Sequence, residues 1–104
     1  MGMCAYLFFG VKVSKNFLKT TNICESGNFI EKSVNTTSYI GVISHVFDQG
    51  DILDIAELHT TAEAEFLAAL NLEYAETWGD IDFQEKSLRH LEKSKRVAIM
   101  FNDY

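Results

Sequence analysis

His45, His59 and His90, the thiols of Cys4 and Cys24, and fifteen carboxylates are the side chains here that could ligate a metal, attack an electrophile or move a proton. A structural or catalytic metal site needs three or four ligands in convergent geometry, often from spacings such as H-x-x-x-H or C-x-x-C. No such spacing occurs, and His45 with Asp48 offers a pair at most. Nucleophilic catalysis asks for a serine, cysteine or threonine beside a base, with a third group orienting that base. The chain has no G-x-S-x-G turn, and Cys4 stands in an apolar run where a thiol serves packing. Its six glycines are scattered, so no glycine-rich loop is available to cradle a phosphate. Paired carboxylates are the chemistry of glycosidases, yet acids this abundant serve mainly as solvated surface. These readings predict a protein that is not an enzyme and holds no cofactor and no metal.

The acids are nevertheless distributed unusually. Between Lys32 and Lys86 there is no lysine or arginine, and the interval holds eleven carboxylates: Asp48, Asp51, Asp54, Glu57, Glu63, Glu65, Glu73, Glu76, Asp80, Asp82 and Glu85. The sign then reverses, with Lys86, Arg89, Lys93, Lys95 and Arg96 against Glu92. Residues 1–50 carry four lysines and three acids (+1), and residues 51–104 carry five basic residues and twelve acids (−7), for a net charge of −6. Well-behaved surfaces intersperse the two signs. Charge sorted in this way makes a field that acts on partners more than on fold, and it points to a basic protein as partner. It argues against direct nucleic-acid binding and against an anionic membrane surface, both of which draw affinity from lysine and arginine.

Nine residues follow as candidate partner contacts. Asp48, Asp51, Asp54 and Glu57 come from a turn and the element after it. Glu73, Glu76, Trp78, Asp80 and Asp82 come from the end of a helix and the start of the next. Trp78 and Tyr74 beside those acids have the composition of a binding hot spot, because buried aromatics carry most interface energy. The alternative for Trp78 is a plug at the base of the helix.

These residues need elements to hold them. Cys4 to Val13 alternates, with Ala5, Leu7, Phe9, Val11 and Val13 on one face and Tyr6, Phe8 and Lys12 on the other, which predicts a central strand. Ser14-Lys15-Asn16 reads as a turn, Phe17–Cys24 and Phe29–Val34 as strands flanking a hairpin connection at 25–28, and 35–38 as loop. Tyr39–Phe47 is β-branched and aromatic, a strand closed by the turn Asp48-Gln49-Gly50-Asp51. Ile52–Leu58 fits strand or helix, and the tight turn before it favours a hairpin. Thr60-Thr61-Ala62-Glu63 has the form of a capping box that opens a helix, with Phe66, Leu67, Leu70, Tyr74 and Trp78 inward and Gly79 as its C-cap. Glu65 and Glu76 fall on the outer side with the uncharged Ala69, and Glu73 falls at its edge. A second helix starts near Asp80 or Asp82, with Leu88 and Leu91 inward, and Val97–Phe101 closes the chain as an internal strand.

The expected fold is therefore α+β: a four- to five-stranded, mostly antiparallel sheet with two helices packed on one face, in the order β-β-β-β-(β)-α-α-β. At 104 residues, 47% of them apolar and none of them proline, the chain fits a single globular domain spanning 1–104. Its apolar N-terminus lacks a basic flank and a cleavage site, and two cysteines read as reduced thiols, so a cytoplasmic setting is expected. The sequon Asn35-Thr36-Thr37 carries little meaning without a secretory signal, and Tyr6 stands where N-myristoylation wants serine or threonine.

Thr61-Ala62-Glu63-Ala64-Glu65-Phe66-Leu67 is similar to a first-helix stretch of the DNase-colicin immunity proteins. Those proteins are all-helical whereas this chain opens with strands, so no binding residues carry over. The functional expectation is a small acidic inhibitor of a basic partner, in the manner of an immunity protein that neutralises a nuclease toxin. The alternatives are a phage-encoded anti-defence protein acting by nucleic-acid mimicry or steric blockade, and a small assembly subunit.

Overall fold

The computed structural model describes residues 4–21, 23–48, 54–75 and 81–103, the side chains of Cys4, residues 81–84 and Asp103 excepted. Strand β1 (Cys4–Val13) is followed by a short helix α1 (Lys15–Thr20), strands β2 (Ile30–Val34) and β3 (Thr37–Phe47), helices α2 (Ile55–Ala75) and α3 (Ile81–Lys93), and strand β4 (Arg96–Asp103). The strands form one antiparallel sheet in the order β2-β3-β1-β4. β1 and β2 thus enclose β3, and β3 and β4 enclose β1. This interleaving of two split β-α-β units is the ferredoxin-like connectivity. The fold is α+β, as its alternating first half and helical second half imply.

Cross-strand partners share a face, so the register sorts the side chains. Phe9, Val11 and Val13 of β1 and Ile40 of β3 meet Ala62, Phe66, Ala69 and Leu70 of α2, together with Leu88 and Leu91 of α3. Ile23 and Phe29, from the connection between α1 and β2, close this core. On the other face, Phe8 pairs with Ile99 and Ile43, and Tyr6 pairs with Phe101 and Val46. Phe8 is fully buried there, edge-on to Phe101, and the Lys32 ammonium lies 5.2 Å and 5.4 Å from the Tyr6 and Phe101 ring centroids. The Gly10↔Gly41 pair beside Phe8 brings two backbones unusually close. A Cβ on Gly10 would stand 2.1 Å from the Ile40 carbonyl oxygen, and one on Gly41 would stand 2.2 Å from that of Phe9.

Four local expectations are corrected. Phe17–Cys24 is not a strand: the Ser14 hydroxyl accepts the Phe17 amide at 3.0 Å, and this N-cap starts α1 where a turn was expected. The hairpin turn is not at 25–28 but at Asn35-Thr36, between the paired residues Val34 and Thr37, with Asn35 at φ 56°. The first long helix starts not at Thr60 but at Ile55, so the described part of Ile52–Leu58 is helical rather than extended. Asp54 caps it by accepting the Glu57 amide at 3.2 Å, and Thr60 donates to the Ala56 carbonyl at 3.0 Å in mid-helix. β4, uniformly apolar at its centre, lies at the sheet edge rather than inside it.

Candidate functional site

Of the nine candidate contacts, Asp48, Asp54, Glu57 and Glu73 have described side chains. Asp51, Glu76, Trp78 and Asp80 lie outside the described residues, as does the side chain of Asp82, whose backbone belongs to the first turn of α3. Gly79, the expected C-cap, lies outside them too. Asp48, Asp54 and Glu57 are exposed, the first just after β3 and the other two at the start of α2. The reading of these three as surface acids agrees with their positions.

Glu73 is the exception. It has no exposed surface and lies on the inward stripe of α2 with Ala62, Phe66, Ala69 and Leu70. The Ser26 hydroxyl donates to its Oε1, and the Asn28 side-chain amide donates to the same oxygen at 3.0 Å. The Asn28 backbone amide in turn donates to Ser26 Oγ at 3.4 Å, and Gly27 between them takes φ +83°. A carboxylate taken out of water needs such charge-assisted donors. Glu73 therefore ties α2 to the connection before β2 and is not part of a partner-facing surface.

The stripe itself is rotated from the expected one. Ala69, expected outside, is buried, whereas Leu67 and Tyr74, expected inside, are exposed. Turning α2 to bury those two would swing Ala62, Ala69 and Glu73, which lie on the far side of Phe66, out of the core. Tyr74 instead donates through its hydroxyl to Glu92 Oε2 of α3 at 3.3 Å, and burial followed by the nearby Glu92 charge raises its pKa. α3 presents both signs: Arg89 pairs with Glu85 one turn away on an exposed face.

The histidine rings pack against aromatic neighbours. The His59 ring stands edge-on to Phe9 at 5.4 Å, His45 packs on Phe47 at 4.6 Å, and His90 packs on Phe17 at 5.5 Å. Cys24 is a free thiol beside a recess lined by Leu18, Thr21, Ile23, Glu25 and Glu31. Burial, then the charges of Glu31 and Glu73, push its pKa up, which keeps it in the less nucleophilic thiol form. Among the described residues, no group of three His, Cys, Asp or Glu side chains is arranged to hold a metal ion, and no helix is long and apolar enough to cross a membrane.

A feature invisible to the acid count adjoins the exposed carboxylates. A cavity of about 140 Å³ opens between α2 and the sheet, lined by Leu7, Phe9, Phe47, Ile55, Leu58, His59, Ala98 and Met100. Asp48, Asp54 and Glu57 are chain neighbours of its wall residues Phe47, Ile55 and Leu58. The apolar residues of β4 and of 55–58 contribute to it, and edge exposure and helix formation place them differently from the expected internal strand and hairpin. No protein-family model matches this chain, and neither a curated protein nor a solved structure proves similar to it.

Proposed function

We propose that this chain is a small protein-binding inhibitor whose acidic end covers a basic surface of its partner, in a cytoplasmic setting of the kind that an immunity protein against a nuclease toxin occupies. The observation that carries this reading is the exposed trio Asp48, Asp54 and Glu57 at the junction of β3 and α2. They belong to a stretch, residues 33–85, with no lysine or arginine in sequence to offset them. Such a field raises association rates with a basic partner by about 10- to 1000-fold at low ionic strength.

The test is a pull-down at low salt, eluted by a salt step, followed by kinetics with the retained protein. A variant combining Asp48→Lys, Asp54→Asn and Glu57→Lys removes the local field while asparagine preserves the helix cap. Its expected outcome is an association rate at least about tenfold lower at low salt, converging with the wild type as salt rises, with the protein still folded and its melting temperature lowered by only a few degrees. An association rate that ignores these substitutions would sink the reading.

A further inference from the structure

β4 is the terminal strand of the sheet, and no described strand pairs with its outer side. A strand edge left unpaired among the described residues offers a row of backbone N–H and C=O groups, a ready template for another strand. Its side chains add a second element of recognition. Ala98 and Met100 face the helix side, since they pair with Phe9 and Leu7, and both are exposed there. Ile55, on the facing end of α2, is 76% exposed and Met100 is 51% exposed. Together with Leu58 and His59 they frame a groove whose floor is Leu7 and Phe9. Its cavity, about 140 Å³, is close to the roughly 150 Å³ that accepts a benzene-sized group in a protein interior.

We propose that this groove between α2 and β4 takes an extended segment of a basic protein, which adds as a fifth strand on the β4 edge and inserts one apolar side chain into the cavity. The assignment rests on the reading above for the identity of the partner as basic. Strand addition draws its affinity from main-chain hydrogen bonds and its specificity from pockets for alternate side chains. Here both parts are in place on one edge. The charge near the groove selects the segment: the exposed Asp48, Asp54 and Glu57 are chain neighbours of the lining residues Phe47, Ile55 and Leu58, whereas Lys95 and Arg96 stand at the start of β4, roughly 7 Å along the strand from Ala98 and 13 Å from Met100. The cationic residues of the bound segment thus belong at its cavity end.

The experiment uses the whole protein and a displayed library of random octapeptides, with the enriched sequence then made synthetically. Enrichment of proline-free peptides with an apolar residue flanked by lysine or arginine is expected. Ile55→Gln and Met100→Gln, both at exposed positions and both without charge, should each weaken the synthetic peptide at least tenfold while leaving the melting temperature in place. Methylating alternate backbone amides of the peptide should do the same in one phase of the alternation and not in the other, as a ladder requires. No enrichment, or binding that ignores both glutamine variants or ignores amide methylation, overturns the proposal. So does a dimer of the protein alone that Met100→Gln dissociates and that shuts the peptide out, because a second copy then owns the edge. The two readings separate cleanly. A basic protein captured equally by wild type and both glutamine variants refutes the groove and leaves the acidic surface standing. Peptides held in the groove, with capture of the basic protein indifferent to the charge-removing variant, refute the acidic surface and leave strand addition standing.

Discussion

A carboxylate with no exposed surface survives only where donors replace the water it has lost, and at Glu73 those donors come from Ser26 and Asn28. They sit 47 and 45 residues earlier in the chain, so the contact fixes the connection between α1 and β2 against α2. Hydrogen bonds to a charged group contribute about 1.5–3 kcal/mol, and truncating the acceptor also strands its donors. Glu73→Ala should therefore lower stability by about 2–3 kcal/mol in urea unfolding, with the slope unchanged. A loss below about 0.5 kcal/mol would mean the site is solvated. The same burial means that charge reversal at Glu73 would report on folding rather than on partner binding.

Helix α2 shows how one element is specified at its ends and oriented by its neighbours. Asp54 accepts the Glu57 amide through its side chain, which satisfies one of the donors that a helix start leaves open, and its carbonyl accepts the Leu58 amide as the first regular helical bond. Asp54→Ala should cost about 1 kcal/mol in thermal unfolding, whereas Asp54→Asn should cost only a few tenths. An equal loss in both would show that charge at the helix start matters more than the cap. Orientation is another matter. With Leu67, Leu72 and Tyr74 exposed and Phe66, Ala69 and Leu70 buried, α2 carries apolar residues on several sides, and the sheet chooses among them.

Arg96 joins the layers of the whole molecule. Its Nη1 donates to the Glu92 and Ser94 carbonyls at 2.8 Å and 2.7 Å, which closes the C-terminal end of α3. Its Nε lies 3.4 Å from Glu63 Oε2 of α2, an ion pair rather than a hydrogen bond, and its guanidinium sits 4.7 Å from the Phe66 ring centroid. One planar cation at the start of β4 therefore contacts both helices. Lysine has neither the fork nor the flat face for these roles. Arg96→Lys should lower stability by about 1–2 kcal/mol by chemical denaturation, and full retention would reduce Arg96 to a surface cation. The charge of the molecule is divided on the same scale, with acids at the junction of β3 and α2 and mixed signs along α3.

The sequence by itself determined the α+β class, strands β1 to β4 in outline, helix α3, and the exposed acids Asp48, Asp54 and Glu57. Each rests on a local signal: period-two alternation, β-branched runs, capping residues, or a run of acids uninterrupted by lysine or arginine. It could not show that Ser14 caps a helix rather than opening a turn, because serine serves both and the choice depends on whether Phe17 and Leu18 find a core to pack against. Glu73 looked like surface because acids usually are, and only the fold brings Ser26 and Asn28 within reach of it. β4 looked internal because it is apolar, yet strand order is a non-local property that the two crossovers decide. The same crossovers place an apolar strand at the edge of the described sheet beside the start of α2, and so create the groove that no stretch of sequence contains.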